Sequence, residues 1–142
     1  MIQRVSDSEI SLAAELACCL WPDNSLGDME RELRLLFEKG AAFFLAEEAG
    51  AVGFAQCQLR HDYVEGTEHS PVGYLEGIYV DERFRCCGIG KALLKACEEW
   101  AGAMGCKEFA SDCELTNTQS QRFHAALGFQ EANRIVCFVK QL

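Results

Sequence analysis

The stretch Arg85-Cys-Cys-Gly-Ile-Gly-Lys-Ala92 determines how the rest of the chain is interpreted. It follows a run of β-forming residues at 72–80 and opens an amphipathic pattern at 88–104 that predicts a helix. Glycines at the start of a helix expose backbone N–H groups, which bind anions such as phosphate. The stretch therefore predicts an anion-binding loop, and the alternative is an ordinary surface turn before a helix.

Two common phosphate-binding patterns do not fit this loop. A P-loop requires glycine where this chain has Arg85 and Ser or Thr where it has Ala92. The dinucleotide-binding fingerprint requires a third glycine where Leu93 stands. The pattern that remains is Arg-x-x-Gly-x-Gly, formed by Arg85, Gly88 and Gly90 and followed by a helix.

The hydrophobic pattern predicts elements in the order β-α-α-β-β-β-α-β-α-β. Ser6 and Glu9 have capping-box spacing before the first helix, and Gly40 ends the second. The predicted strands cover residues 2–5, 42–47, 51–59, 72–80, 107–113 and 136–139, and the predicted helices cover 10–20, 26–39, 88–104 and 117–127. Hairpins followed by β-α-β crossovers predict an α/β fold with a mixed sheet and helices on both faces.

Composition limits the possible functions. The chain has 142 residues, enough for one domain, and 13 Lys and Arg against 22 Asp and Glu give a net charge of −9. This charge argues against nucleic-acid binding. It is compatible with a cationic partner, although solubility alone also explains it.

The nine cysteines include no C-x-x-C pair, which argues against a zinc site and a disulfide framework. Most are expected to be small core residues in a reducing cytoplasm. No signal-like or membrane-length apolar run is present, so neither secretion nor membrane insertion is expected.

The loop pattern resembles the acyl-CoA-binding loop of the GNAT superfamily of N-acetyltransferases. The strand end Ile78-Tyr-Val80 and the run Asn117-x-x-Ser-x-x-Phe-His-x-x-Leu-Gly-Phe129 resemble two further motifs of that family. The resemblance implies a single GNAT domain over residues 1–142, with acetyl-CoA as co-substrate and no metal. It also implies acetyl-CoA binding by Ile78, Tyr79, Val80, Arg85, Cys86, Cys87, Gly88, Ile89, Gly90, Lys91 and Asn117.

Several scattered segments narrow the resemblance to the aminoglycoside 6'-N-acetyltransferases. These segments are Trp21-Pro22 and residues 60–66, 70–80, 110–113 and 123–131. The resemblance implies acetyl transfer to a primary amine of an aminoglycoside, antibiotic resistance and a homodimer. The alternatives are a polyamine or protein amino-group acetyltransferase, a CoA-binding module without turnover, and a protein that only sequesters the antibiotic.

Two acidic residues lie within predicted strands. Residues 61–82 carry six carboxylates and no Lys or Arg. Glu65 and Glu68 are expected to be solvated, but Glu76 lies in an apolar strand, where a carboxylate without a partner is costly. Glu76 and Asp112 are therefore predicted to bind substrate amines, and the alternative for both is structural hydrogen bonding.

By resemblance, Trp21 and Tyr63 line the substrate site, and the alternative is ordinary packing. Asn24 stands where the family often has His, and Asn133 where it often has Glu. Both departures reduce the charge available to the substrate. Glu131 lies on the same face as Asn133 in a regular strand and can compensate.

The expected reaction is direct acetyl transfer in a ternary complex. Glu76 is the predicted general base and Asp112 orients the amine. A backbone N–H in residues 78–80 is expected to stabilise the oxyanion. His124 stands where many GNAT enzymes have Tyr, and it is either the general acid or a hydrogen-bonding helix residue. A cysteine acyl intermediate is not expected, since no thiol has an evident neighbouring base in the sequence.

Overall fold

A computed structural model describes residues 1–142. Five strands form one sheet in the order β1-β2-β3-β4-β5. The strands are β1 Ile2–Arg4, β2 Ala42–Glu47, β3 Ala51–Arg60, β4 Val72–Val80 and β5 Phe109–Ser111. The pairs from β1 to β4 are antiparallel and β4 pairs β5 in parallel, so the predicted mixed sheet is confirmed.

Four helices accompany the sheet. They are α1 Ile10–Leu20, α2 Leu26–Glu38, α3 Ile89–Ala103 and α4 Thr118–Ala126, with short 3-10 turns at Asp7–Glu9 and Glu82–Phe84. The predicted helix starts are confirmed: Glu9 accepts the Ser6 N–H at 2.8 Å, and Ser25 accepts the N–H of Asp28. None of these helices has the length and apolar character needed to cross a membrane.

Helices pack on both faces of the sheet because neighbouring strand residues point to opposite faces. Phe43 belongs to the buried cluster under α1 and α2, which includes Ile10 and Leu33. Phe44 belongs to the cluster under α3, which includes Leu93. One sheet therefore carries two cores, and the candidate site lies where its strands part.

The cysteines are distributed differently from the prediction. Cys57 and Cys97 are fully buried, as expected of small core residues. The expectation that most cysteines are buried is wrong, because five are exposed: Cys19, Cys86, Cys87, Cys113 and Cys137. These thiols lie at a helix end, in the glycine-rich loop, after β5 and in the C-terminal segment, where no second layer covers them.

The predicted strand at 136–139 is also wrong. The chain from 129 onward contains no regular secondary structure, and Phe138 is 92% exposed. β-forming residues make a strand only where a partner edge accepts their hydrogen bonds, and this segment has no such partner within the chain. Strand β5 is likewise shorter than the predicted 107–113.

The junction of β4 and β5 positions the site. Pairing between them ends at Leu75 opposite Ser111, so residues 76–80 have a strand neighbour only on the β3 side. Strand β4 also contains a bulge: Gln56 faces Gly77 and Cys57 faces Leu75, which leaves Glu76 as an extra residue. A free strand edge therefore begins at a carboxylate.

Candidate active site

The glycine-rich loop has the geometry of an anion-binding site. Gly88, the N-cap of α3, has a left-handed φ of 84°, and no side chain caps the helix. The first N–H groups of α3 are therefore free to bind an anion. Cys86 also has a positive φ, 60°, which is unusual for a residue with a side chain.

Arg85 ties this loop to the free edge of β4. Its Nε donates to the carbonyl oxygen of Val80 at 2.8 Å. The guanidinium thus supports the backbone at the end of the strand, and its Nη1 lies 3.8 Å from a carboxylate oxygen of Glu82. The loop and residues 78–80 form one continuous surface.

Helix α4 closes the other side of this surface. A Cβ at Gly90 would lie 2.9 Å from Cε2 of Phe123, so the close approach of α3 and α4 requires glycine there. Asn117 is the N-cap of α4 and accepts the N–H of Ser120 through Oδ1 at 3.0 Å. Capping uses the oxygen of the Asn117 amide and leaves its nitrogen for another acceptor.

Glu76 is held by an arginine that crosses the ring of Tyr74. Arg60 lies 3.5 Å from the centroid of that ring. Its Nε and Nη2 donate to Oε1 of Glu76 at 3.1 and 2.9 Å, and Nη2 also lies 3.0 Å from Oε2. Arg60 therefore neutralises Glu76, whose side chain is 18% exposed.

Tyr74 connects this pair to Asp112, because its hydroxyl donates to a carboxylate oxygen of Asp112. Burial raises the pKa of Tyr74, and the hydrogen bond to Asp112 raises it further. Tyr74 thus remains a neutral donor at physiological pH. The two predicted acids, Glu76 and Asp112, belong to one network with Arg60 and Tyr74.

Sequence reasoning missed Arg60 and Tyr74 as members of this network. Arg60 ends β3 opposite Val72, and the alternation along β4 places Tyr74 on the same face as Val72. The sequence signal was thus an arginine at the end of β3, the strand that pairs with the strand containing Glu76. This signal identifies the ion pair only when the register of β3 and β4 is known.

A cavity of about 300 Å³ lies beside Glu76, on the side of the sheet covered by α1 and α2. It brings together three predicted site residues, Trp21, Asn24 and Glu76. The other lining residues are Met29, Glu32, Leu33 and Gln56. Sequence reasoning missed Glu32 and Gln56. Gln56 had a signal, a polar residue within an apolar strand, whereas Glu32 looked like any charged residue of a helix surface.

Three other predicted substrate residues do not line this cavity: Asp112, which is bound by Tyr74, and Tyr63 and Asn133. Tyr63 is 77% exposed and lines a separate cavity of about 450 Å³ formed by residues 58–63. Asn133 is exposed and donates to Oε1 of Glu65 at 3.1 Å. Glu131 pairs with Arg134, whose hydrogen bond lowers the pKa of the carboxyl, so Glu131 already has a cationic partner.

His124 is hydrogen-bonded at both ring nitrogens. Nδ1 lies 2.7 Å from the carbonyl oxygen of Ser120, and Nε2 lies 2.8 Å from Oγ of Ser111. A carbonyl only accepts, so Nδ1 donates to Ser120, while Oγ of Ser111 lies within hydrogen-bond distance of both Nε2 and the Leu75 carbonyl oxygen, 3.3 Å away. Ser111 precedes Asp112 at the end of β5, so His124 reaches the site through it. No group of three His, Cys, Asp or Glu side chains is arranged to hold a metal ion.

Comparison with known proteins gives the family context of this arrangement. The model of the acetyltransferase (GNAT) family matches residues 11–129. Aminoglycoside N(6')-acetyltransferase type 1 of Stenotrophomonas maltophilia is 41% identical over 96% of this chain and 90% of its own length. The protein of the same name from Serratia marcescens is 45% identical over 89% of each chain.

Two solved structures of aminoglycoside acetyltransferases are also similar to this chain over its whole length. AAC(6')-Iy in complex with the bisubstrate analogue CoA-S-monomethyl-acetylneamine matches with a TM-score of 0.94 at 36% identity, over 100% of this chain and 98% of its own. AAC(6')-IG from Acinetobacter haemolyticus matches with a TM-score of 0.93 at 37% identity, over 100% and 99% of the two chains.

Proposed function

Because the chain belongs to the acetyltransferase (GNAT) family and is an acetyl-CoA-dependent N-acetyltransferase, we propose that it modifies aminoglycosides. The reaction is direct transfer of the acetyl group of acetyl-CoA to the 6'-amine of the antibiotic, which confers resistance. The relatives that carry this activity in their names support the substrate assignment. Residues 1–142 are proposed to form one N-acetyltransferase domain, since both cores pack on the same sheet.

The observation that carries the proposal is the position of Glu76. This carboxylate lines the cavity beside Trp21 and also starts the free edge of β4. A cationic amine in the cavity and an extended acyl carrier along the edge would therefore meet at Glu76. An acetyltransferase for amines requires this geometry, because attack occurs only when both reacting atoms are held in contact.

Acetyl-CoA is proposed to bind along the loop and the free edge. Backbone N–H groups from Gly88 to Lys91 suit the pyrophosphate, and the left-handed φ of Gly88 supports this. Residues 78–80 offer backbone groups to the amides of the pantetheine arm, as a neighbouring strand would. The side-chain nitrogen of Asn117 is a further donor at the opposite wall.

Activation of the amine is assigned to Glu76 and Asp112. An alkylamine has a pKa of about 10 and is mostly protonated at neutral pH, so it must lose a proton before it attacks. Glu76 is proposed to take that proton, directly or through water. The Arg60 guanidinium already binds both oxygens of Glu76, so substrate binding must share or replace these contacts. Asp112, held by Tyr74, is proposed to orient the amine.

The chemical step forms the C–N bond and breaks the C–S bond. Attack of the amine nitrogen on the thioester carbonyl gives an oxyanion, for which a backbone N–H of residues 78–80 is the proposed donor. Collapse of this intermediate releases the thiolate of CoA. None of the exposed thiols is required, because the free edge and the cavity bring donor and acceptor together directly.

His124, in the form protonated at both ring nitrogens, is proposed to supply a proton to the leaving thiolate through Ser111: the Ser111 hydroxyl passes its proton to the sulfur and takes one from Nε2. The 2.8 Å bond between Nε2 and the Ser111 Oγ supports this role, because Ser111 lies where β4 and β5 separate. A thiolate is a good leaving group, so this donor contributes less than the base does.

The substrate is proposed to extend beyond the cavity. Trp21 and Asn24 bind the ring that carries the reacting amine, the indole by stacking and the amide by hydrogen bonding. Tyr63 and Asn133, which lie outside the cavity, are proposed to contact the more distant rings of the same molecule.

The chain is also proposed to be homodimeric. Apolar side chains that project into solvent support this assignment: Ile135, Val136, Phe138 and Val139. A sedimentation experiment that detects only a 15.8 kDa species would contradict it. A cytoplasmic location is proposed on separate grounds, since five exposed free cysteines suit a reducing compartment.

The test is mass spectrometry of the products formed from acetyl-CoA and an equimolar mixture of kanamycin, tobramycin, spermidine and a lysine peptide. Mass detection is preferable to thiol colorimetry because the exposed cysteines would react with the reagent. We expect the aminoglycosides alone to gain one acetyl group. Acetylation of spermidine or the peptide instead would contradict the substrate assignment, and binding of acetyl-CoA without any product would indicate a binding module.

A further inference from the structure

Gln56 is the one polar residue among the 29 buried residues of the protein, and it is 6% exposed. It lines the cavity beside Glu76, and its side chain has no hydrogen-bond partner in the protein. Every side-chain polar atom that is fully removed from solvent does have a partner. The amide of Gln56 must therefore reach the cavity, where it can bind a ligand.

An amide that faces only a cavity forms its hydrogen bonds with whatever fills that cavity, and a poorly satisfied amide destabilises a fold. The cavity wall beside Gln56 includes the buried apolar side chains of Met29 and Leu33, against which an apolar residue at 56 would pack. The unfavourable free energy of burying the Gln56 amide is thus offset when a molecule in the cavity forms a hydrogen bond with it.

Glu32 supplies the unneutralised charge of the same cavity. It lies on α2 and takes part in no ion pair, whereas both neighbouring arginines pair with other carboxylates. Arg31 pairs with Asp28, and Arg34 pairs with Asp7 and Glu30. Glu76, the other carboxylate of the cavity, is neutralised by Arg60. A cation that enters the cavity meets its free negative charge at Glu32.

We propose that Gln56 and Glu32 form a specificity subsite of the amine-binding cavity, an inference that rests on the proposed function. Gln56 binds a hydroxyl or ring oxygen of the sugar that carries the reacting amine. Glu32 pairs with an ammonium group other than the one that is acetylated. Aminoglycosides carry several ammonium and hydroxyl groups, so one molecule can satisfy both residues while its reacting amine lies at Glu76.

Both contacts are made before and during the reaction. Interactions that are equally strong in the ground state and the transition state change KM and leave kcat unchanged. The subsite is therefore expected to act on KM for the antibiotic alone. KM for acetyl-CoA, which binds along the free edge of β4, is expected to stay constant.

The test compares Gln56→Met, Glu32→Gln and Glu98→Gln with the wild type in steady-state acetylation of kanamycin and tobramycin. Methionine fills a volume close to that of glutamine without an amide, so Gln56→Met is expected to raise KM roughly tenfold. Its melting temperature is expected to stay equal or rise, because the unsatisfied amide is gone. A merely structural role for Gln56 predicts the reverse, lower stability and an unchanged KM.

Glu98→Gln is the matched control for Glu32→Gln. Glu98 is exposed on α3, on the opposite face of the sheet, takes part in no ion pair, and its loss changes the net charge equally. Glu32→Gln is expected to raise KM roughly fivefold at low salt and less at high salt, while Glu98→Gln has no effect.

Equal KM values for the two glutamate variants, or an unchanged KM for Gln56→Met, would overturn the inference. The wild type in the same assay reports on the proposed function separately. If it acetylates neither antibiotic, the proposed function fails and the subsite is rejected with it.

Discussion

The indole of Trp21 packs directly against the backbone of Gly77, the residue that follows the candidate base Glu76. A Cβ at position 77 would lie 2.6 Å from Cη2 of Trp21 and 2.7 Å from Cδ2 of Leu20. Only glycine permits the ring to lie this close to the strand. The wall of the cavity beside Glu76 therefore depends on the missing side chain at 77.

Gly77→Ala is expected to displace the Trp21 ring and to raise KM for kanamycin about tenfold, with little change in KM for acetyl-CoA. Gly102→Ala is the control, since a Cβ there meets nothing within 4 Å. That variant is expected to gain up to about 1 kcal/mol of stability, because alanine favours a helix more than glycine does. Steady-state kinetics and thermal unfolding measure both effects, and an unchanged KM in Gly77→Ala would show that the ring does not bind substrate.

Glu76→Gln tests the general base. The amide keeps the shape of the side chain but cannot take a proton, so kcat is expected to fall by about 10² to 10⁴. Acetyl-CoA affinity, measured by calorimetry, is expected to be unchanged because the free edge and the loop are intact. A variant that retains kcat would remove Glu76 from the proton-transfer step.

Arg60→Gln leaves the half-buried Glu76 carboxylate without its partner. We expect a loss of about 1–3 kcal/mol in the free energy of unfolding, measured with urea. The same substitution in a Glu76→Gln background is expected to cost less, because no carboxylate then remains unpaired. Equal costs in the two backgrounds would mean that the ion pair contributes nothing to stability.

His124→Gln and Ser111→Ala interrupt the same proposed proton path. Each is expected to lower kcat by up to about tenfold without changing KM for acetyl-CoA, and the double variant is expected to lose no more than either single variant. If His124 only supports the helix, thermal stability falls while kcat stays at the wild-type value. The pH dependence of kcat separates the two cases, since only a proton donor removes a limb of the profile.

Asp81 provides a pH prediction at the start of the glycine-rich loop. Hydrogen bonds from the Arg83 side chain, and then from its backbone N–H, lower the pKa of Asp81 to about 2. A lowered pKa means that the stabilisation is present above the ordinary value near 3.9 and is lost as the pH falls toward 2. Wild type and Asp81→Asn should therefore differ in thermal stability by a constant amount from pH 6 to pH 4, and the difference should shrink as the pH falls from 4 toward 2. A difference that stays constant as the pH falls from 4 toward 2 would contradict the assignment.

The sequence was most informative where one segment specifies its own conformation. The turn at 85–90 and the start of the helix after Asn117 depend on residues that are close in the chain, and both were predicted close to where the structure has them. The GNAT resemblance based on them is confirmed by the family match. Such local features can be predicted from the sequence because they do not depend on a partner that is distant in the chain.

Features that depend on distant pairing were not predictable. The ion pair of Arg60 and Glu76 requires the register of β3 and β4, which a bulge changes within the strand. The strand predicted at 136–139 failed for the related reason that β-forming residues do not reveal whether an edge is available. By resemblance Trp21 and Tyr63 both line the substrate site, and the structure places them in different cavities, so a shared role in substrate binding stays a prediction.

The bulge at Glu76 adds the candidate base to β4 without using a hydrogen-bonding position of the sheet. Strand β4 pairs with β3 through Leu75 and Gly77, and Glu76 between them has no counterpart, so the ladder would be continuous without it. Compared with a regular strand of the same residues, the extra residue reverses the faces of everything that follows, which turns Gly77 toward Trp21 and Ile78 toward the core under α3. Deletion of the Glu76 codon would leave Gly77 paired with Gln56 and Leu75 paired with Cys57, so the ladder would persist and the cavity would lose only its carboxylate. The candidate base is therefore an insertion that the hydrogen bonds of the sheet do not require.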